Sequence, residues 1–288
     1  MLRASLLASA LCAASAMGQT YWFSFGDSYT QTWFDPAGAL PSAANPIGNP
    51  PFPGWTAAGG ENWLTYLTAH LNTSLVLTYN YAYGGATTDA ALVAPYEASV
   101  LSFVDQVGEF ATGAGQRPPE TPWEGARALF SVWIGVNDIG NSYYLDGDRG
   151  EFSDTLLARD YEMVEKLYES GARNFLFLNV PAIERSPLML AQDESARTLE
   201  AAVIAAHNEK LAARVAAFAA EHEGVTTWVW DAYAVFSEVL DDLEGFGFNG
   251  NASGYGEGYF WGNDYHPGEG ANKIFAERIA DLLDGAIL

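Results

Sequence analysis

Cysteine is nearly absent from this chain: its 288 residues hold one, Cys12. A lone thiol closes no disulfide within the chain, so stability must come from a buried core, which a chain of this length can build. Histidine is also scarce. The four present have no close spacing among themselves, which argues against a zinc site, and no metal or other cofactor is expected. Basic residues number 13 against 36 acidic ones, for a formal charge of -23, and Lys and Arg never cluster. Such a balance repels nucleic acid and anionic membrane surfaces. No run approaches the roughly 20 apolar residues that a membrane span needs. Gly84-Gly85 lacks the further glycines of a dinucleotide-binding loop.

What is present begins with a leader. Arg3 precedes an apolar stretch, and the small residues Ala14, Ser15, Ala16 and Gly18 follow it. Residues 1–18 therefore read as a secretory signal peptide and 19–288 as one exported domain, expected to be extracellular and to act as a monomer. Cys12 falls inside the leader. Asn72-Thr73-Ser74 and Asn251-Ala252-Ser253 are N-glycosylation sequons, which makes Asn72 and Asn251 candidate glycan sites. With 49% hydrophobic and 14% aromatic residues, the acidic chain is a folded protein and not a disordered one.

Five apolar runs have the length of buried strands: 21–25, 75–79, 128–134, 174–180 and 225–230. Helical spacing between them predicts helices over 61–71, 89–110, 154–170, 193–221, 232–240 and 271–283, with Pro95 kinking the second. Strands alternating with helices indicate an α/β fold, a parallel sheet covered on both faces. Residues 31–60 carry six prolines and read as an ordered, irregular lip, with Trp33, Phe34, Phe52 and Trp55 as its anchors. A second loop, over 243–262, interleaves glycine with Phe, Tyr and Trp. In parallel sheets, sites form outside the carboxyl ends of the strands. Ser28, Gly85, Asn137 and His266 each follow a strand or lie in a loop of that end, and could converge in one cleft.

The order of four blocks resembles the GDSL/SGNH hydrolase family: Gly26-Asp27-Ser28-Tyr29, Asn80 with Gly84-Gly85, Gly135-Val136-Asn137-Asp138, and His266-Pro267. Within it, the chain is similar to secreted fungal carbohydrate acetylesterases, carbohydrate esterase family sixteen. The resemblance implies a flavodoxin-like three-layer α/β/α sandwich with a five-stranded sheet. It implies Ser28 as nucleophile, His266 as base, and an oxyanion hole from the N–H groups of Ser28 and Gly85 with the Asn137 amide. The family's usual aspartate, three residues before the histidine, is replaced here by Asn263. Asp264 is the preferred partner for His266; Asn263 and a backbone carbonyl are the alternatives. Asp27 and Asp138 read as supporting hydrogen-bond acceptors, and His207 as a packed core residue. The expected activity is a serine esterase removing acetyl groups from acetylated sugars or oligosaccharides. A lipase or phospholipase of the same fold, and a non-catalytic carbohydrate-binding protein, are the competing readings.

Overall fold

The computed structural model describes residues 19–283. The leader expected over 1–18, with Cys12, lies outside the described residues. Five strands form one parallel sheet: β1 (Gln19–Gly26), β2 (Leu75–Asn80), β3 (Ala128–Trp133), β4 (Asn174–Leu178) and β5 (Thr226–Trp230), in the order β2-β1-β3-β4-β5. Strand order reverses at β1, whose neighbours are β2 on one side and β3 on the other. The crevice of the sheet therefore opens at the carboxyl ends of β1 and β3. The principal helices are α1 (Trp63–His70), α2 (Phe103–Thr112), α3 (Val136–Gly140), α4 (Arg149–Glu169), α5 (Glu194–Glu221), α6 (Ala232–Asp241) and α7 (Glu269–Leu283).

Alternation along the strands divides the core into two layers. Tyr21, Phe23 and Phe25 face the helices α2, α4 and α5, where the Phe23 ring meets those of Tyr79, Phe110, Trp123 and Phe130. Trp22, Leu129 and Leu176 face the opposite layer with α1, α6 and α7. Because both faces are covered, even the polar residues of β1 are buried and need partners. Ser131 supplies them: it accepts from the Trp22 indole at 2.8 Å and donates to the Ser24 hydroxyl at 2.8 Å.

Two expectations need correction. The helix predicted over 89–110 exists only as α2. Pro95 offers no N–H, Asp89 turns its carboxylate onto the Ala91 N–H and Arg159, and Ser102 with Asp105 caps the helix where it does begin. The segment ahead of the cap is irregular and carries Tyr96 over Gly85. In the lip, aromatic anchoring holds for Phe34, whose ring packs against Tyr79 and Tyr81. Trp33 and Trp55 are exposed instead. Asparagine amides do the fastening: Asn62 to the Thr30 and Gln31 carbonyls, Asn80 to the Thr30 carbonyl and Thr32 hydroxyl, and Asn49 to Asp35 and Ala39.

Candidate active site

The turn after β1 is fixed before Ser28 is reached. Gln106 of α2 accepts from the Gly26 N–H at 2.9 Å and donates to its carbonyl at 2.8 Å. A side chain at Gly26 would put its Cβ 2.4 Å from the Trp133 carbonyl oxygen, so only glycine lets β1 lie this close to the end of β3. Asp27 then accepts from the Tyr29 N–H at 2.9 Å, which closes a side-chain turn around Ser28. The Ser28 hydroxyl stands 2.7 Å from His266 Nε2, across 238 residues of sequence.

His266 is held from the other side by Asn263, whose Oδ1 lies 3.0 Å from the ring Nδ1. Asp264, the preferred sequence candidate, is exposed and makes no hydrogen bond to the ring; its backbone carbonyl takes the Leu188 N–H. The reason is local. Asn263 Oδ1 accepts from the backbone N–H groups of Tyr265 and His266, which curls the segment so that position 263 faces the imidazole. Its Nδ2 donates to the Ala57 carbonyl at 3.0 Å, fixing which end of the amide meets the ring. An acceptor at Nδ1 makes that nitrogen the protonated one and leaves the Nε2 lone pair for the serine. An aspartate at 263 would set a carboxylate oxygen against the Ala57 carbonyl, so the chain's asparagine suits its own surroundings.

Burial among neutral groups pushes His266 down to about 4, and the charge of Asp264 is the opposing influence. A base must be neutral to accept a proton, so kcat/KM should fall only as pH drops through this low value. Asn263→Asp is expected to move that acidic limb to higher pH by adding charge beside the ring. Asn263→Ala should lower kcat/KM by about 10²-fold and Asp264→Asn by less than about threefold. Hydrolysis of an aryl acetate measured from pH 3.5 to 8 checks all three; a larger loss for Asp264→Asn would return the orienting role to the carboxylate.

Gly85 and Asn137 come from the neighbouring strand ends. Gly85 follows β2 with φ +83, a conformation that suits glycine. Asn137 lies in the first turn of α3, directly after β3, and its amide donates to the Ala86 carbonyl at 2.9 Å. Asp138 accepts the Thr88 N–H with both carboxyl oxygens, at 3.0 and 3.1 Å, and so joins the Gly85 loop to α3. Burial pushes both Asp27 and Asp138 up to about 7. The acids near the site thus serve as acceptors of backbone N–H groups. His207 is buried in α5, pushed down to about 4, and lines a cavity with Ile134, Tyr161 and Phe177 to which Ser28 does not contribute. Among the described residues no group of three or more His, Cys, Asp or Glu is placed to hold a metal.

Sequence reasoning missed Gln106, Ala57 and Thr88. Each acts through backbone groups or from the middle of an element, where nothing in the pattern marks it.

A serine hydroxyl against an imidazole, at the switch point of a parallel sheet, is an arrangement fit for nucleophilic acyl transfer. The chain belongs to the GDSL-like Lipase/Acylhydrolase family, whose profile matches residues 23–279. It is 43% identical over 270 residues to an acetylesterase of Thermothelomyces thermophilus, covering 92% of this chain and 89% of that protein. A GDSL esterase/lipase of Arabidopsis thaliana is 28% identical over 187 residues, 53% of this chain and 51% of that one. Among solved structures, an acetyl xylan esterase from Geobacillus stearothermophilus aligns with a TM-score of 0.51 at 15% identity, covering 93% of this chain and 94% of that chain. That last likeness speaks for the fold alone. The chain is a carboxylic ester hydrolase, which removes the non-catalytic reading.

Proposed function

We propose that this protein is an exported acetylesterase acting on acetylated sugars or oligosaccharides, with Ser28 as nucleophile. The observation that carries the assignment is His266 bridging Ser28 at 2.7 Å and Asn263 at 3.0 Å. In this reading Ser28 Oγ attacks the ester carbonyl carbon while its proton passes to Nε2. The carbonyl oxygen takes the negative charge, and the N–H groups of Ser28 and Gly85 with the Asn137 amide stabilise it. Collapse breaks the bond to the sugar oxygen, which leaves with the proton held by His266. Water, deprotonated by the same Nε2, then cleaves acetyl-Ser28 to acetate. Asn263 keeps the ring in the tautomer that both half-reactions need.

One fact favours a short acyl group: the relative named acetylesterase matches nearly the whole chain. The crevice beside Ser28 is lined by Tyr29, Thr56, Ala57, Ala58 and His266. Support for the sugar is the pair of exposed indoles, Trp33 and Trp55, the second of which directly precedes the crevice residue Thr56. Export rests on the leader pattern in 1–18 and on the two sequons. At Asn251 the side chain is exposed, and its Oδ1 accepts from the Ser253 hydroxyl at 2.9 Å. Asn72 is half-buried, with its amide on the Thr68 carbonyl.

The test is a profile of kcat/KM across C2 to C16 acyl esters, alongside acetate release from acetylated xylooligosaccharides. C2 is expected to be fastest, with a fall of at least about tenfold by C8, because each methylene that the crevice rejects costs about 1 kcal/mol or more. A maximum at C8 or beyond would make the enzyme a lipase.

A further inference from the structure

Trp33 is held in a conformation that its side chain does not favour. Its φ is +62, in the left-handed region where a bulky residue is rare and strained. Burial does not enforce this, since Trp33 is 49% exposed. The residues on either side do. Thr32 is buried, with its carbonyl accepting the Trp55 N–H at 3.0 Å and its hydroxyl the Asn80 amide at 3.0 Å. Phe34 turns inward onto Tyr79 and Tyr81. A chain pinned inward at 32 and 34 flips the residue between them outward.

The flip completes a row of rings. The Trp33 indole lies 6.4 Å from that of Trp55, which is 66% exposed, at an angle of 60°, and 5.7 Å from the Tyr83 ring at 49°, so each ring offers its own face and not a share of one flat surface. Both ends of the row run directly into the site. Trp55 precedes Thr56 and Ala57, which line the crevice with Ser28 and His266, and Ala57 is tied to Asn263. Tyr83 donates its N–H to the Gly26 carbonyl at 3.0 Å and precedes Gly84-Gly85. Tyr96, 74% exposed, covers Gly85 itself.

We infer that Trp55, Trp33 and Tyr83 form a platform for the sugar residues that flank the acetylated one, which rests on the acetylated-sugar reading above. Aromatic faces that are open to water on one side suit the flat C–H face of a sugar ring, whose hydroxyls stay hydrated at its rim. An acyl chain would need walls on several sides, and the outer faces of both indoles are open. The strained backbone at Trp33 is then the cost of presenting an indole where the fold alone would favour glycine.

The experiment compares Trp55→Ala and Trp33→Gly with the wild type on acetylated xylotetraose and on 4-nitrophenyl acetate, with Leu282→Ala, exposed in the last turn of α7, as control. The ratio of kcat/KM for the oligosaccharide to that for the aryl ester is expected to fall at least about tenfold in both platform variants, through KM, and to hold in the control. Trp33→Gly should melt no lower than the wild type. Equal losses on both substrates, or a lowered melting temperature that accounts for them, would make Trp33 merely structural and overturn the platform. So would a loss confined to C8 and longer acyl esters, which would assign the rings to an acyl chain. If the wild type releases no acetate from the oligosaccharide, the acetylated-sugar reading fails by itself. Calorimetric titration with unacetylated xylotetraose then decides the platform: binding that Trp55→Ala abolishes sustains it, and no binding ends it.

Discussion

Ser28→Ala is expected to lower kcat on a short aryl acetate by about 10⁴-fold or more. The serine oxygen is the atom that would bond to the acyl carbon, and no other hydroxyl is shown against His266 Nε2. What remains should come from the oxyanion donors acting on a water molecule, about 10³–10⁴ over the uncatalysed reaction. His266→Ala should cost a similar amount. The double variant should be no worse than either single one, because nucleophile and base act as one unit. Folding should be indifferent to the first change. Gln106 and the Asp27 side-chain turn hold the backbone here, and Ser28 Oγ has His266 as its side-chain partner. Equal melting temperatures would assign the loss to chemistry. A variant keeping more than about a hundredth of wild-type turnover would mean that Ser28 is not the nucleophile.

Strand positions were legible because both faces of the sheet are covered: near-continuous apolar runs such as Phe175-Leu176-Phe177 leave little else to be read. The segment after Thr88 was not legible. Its apolar residues permit a helix, and what ends that option is the competition of Asp89 and the Ser102 cap for the same backbone groups. Residues 32–34 show the same limit. The lip has four aromatic side chains in its sequence, and only the neighbouring anchors decide which turn inward.

At His266 the spacing of residues gave the candidates but not the choice. A carboxylate is the stronger partner in general, which favours Asp264 on paper. Asn263 instead satisfies two backbone N–H groups, the ring and the Ala57 carbonyl with one amide. Three of those four contacts need the oxygen and one needs the nitrogen, so an amide fits where a carboxylate would leave an acceptor facing an acceptor.

The same kind of reasoning sets the expectation for Asn137→Ala, a loss of about 10²–10³ in kcat with KM little changed. One N–H of the Asn137 amide is spent on the Ala86 carbonyl at 2.9 Å, which fixes the plane of the group. In the proposed mechanism the second N–H would meet the developing oxyanion, and a donor locked in advance needs no reorganisation when charge forms. Gly135, with φ +117, turns the chain out of β3 two residues before it. Asp138 clamps the Thr88 N–H, so the Gly85 loop and α3 keep their spacing even without the amide. The alanine variant should therefore retain its fold, apart from the cost of one orphaned carbonyl, about 1–3 kcal/mol if it finds no water. Asn137→Asp separates the donor role from a packing role. Its carboxylate would face both the Ala86 carbonyl and the oxyanion, so at pH 7 to 8 it should be slower than the alanine variant. If Asn137→Asp were as active as the wild type at that pH, Asn137 could not be donating to the oxyanion.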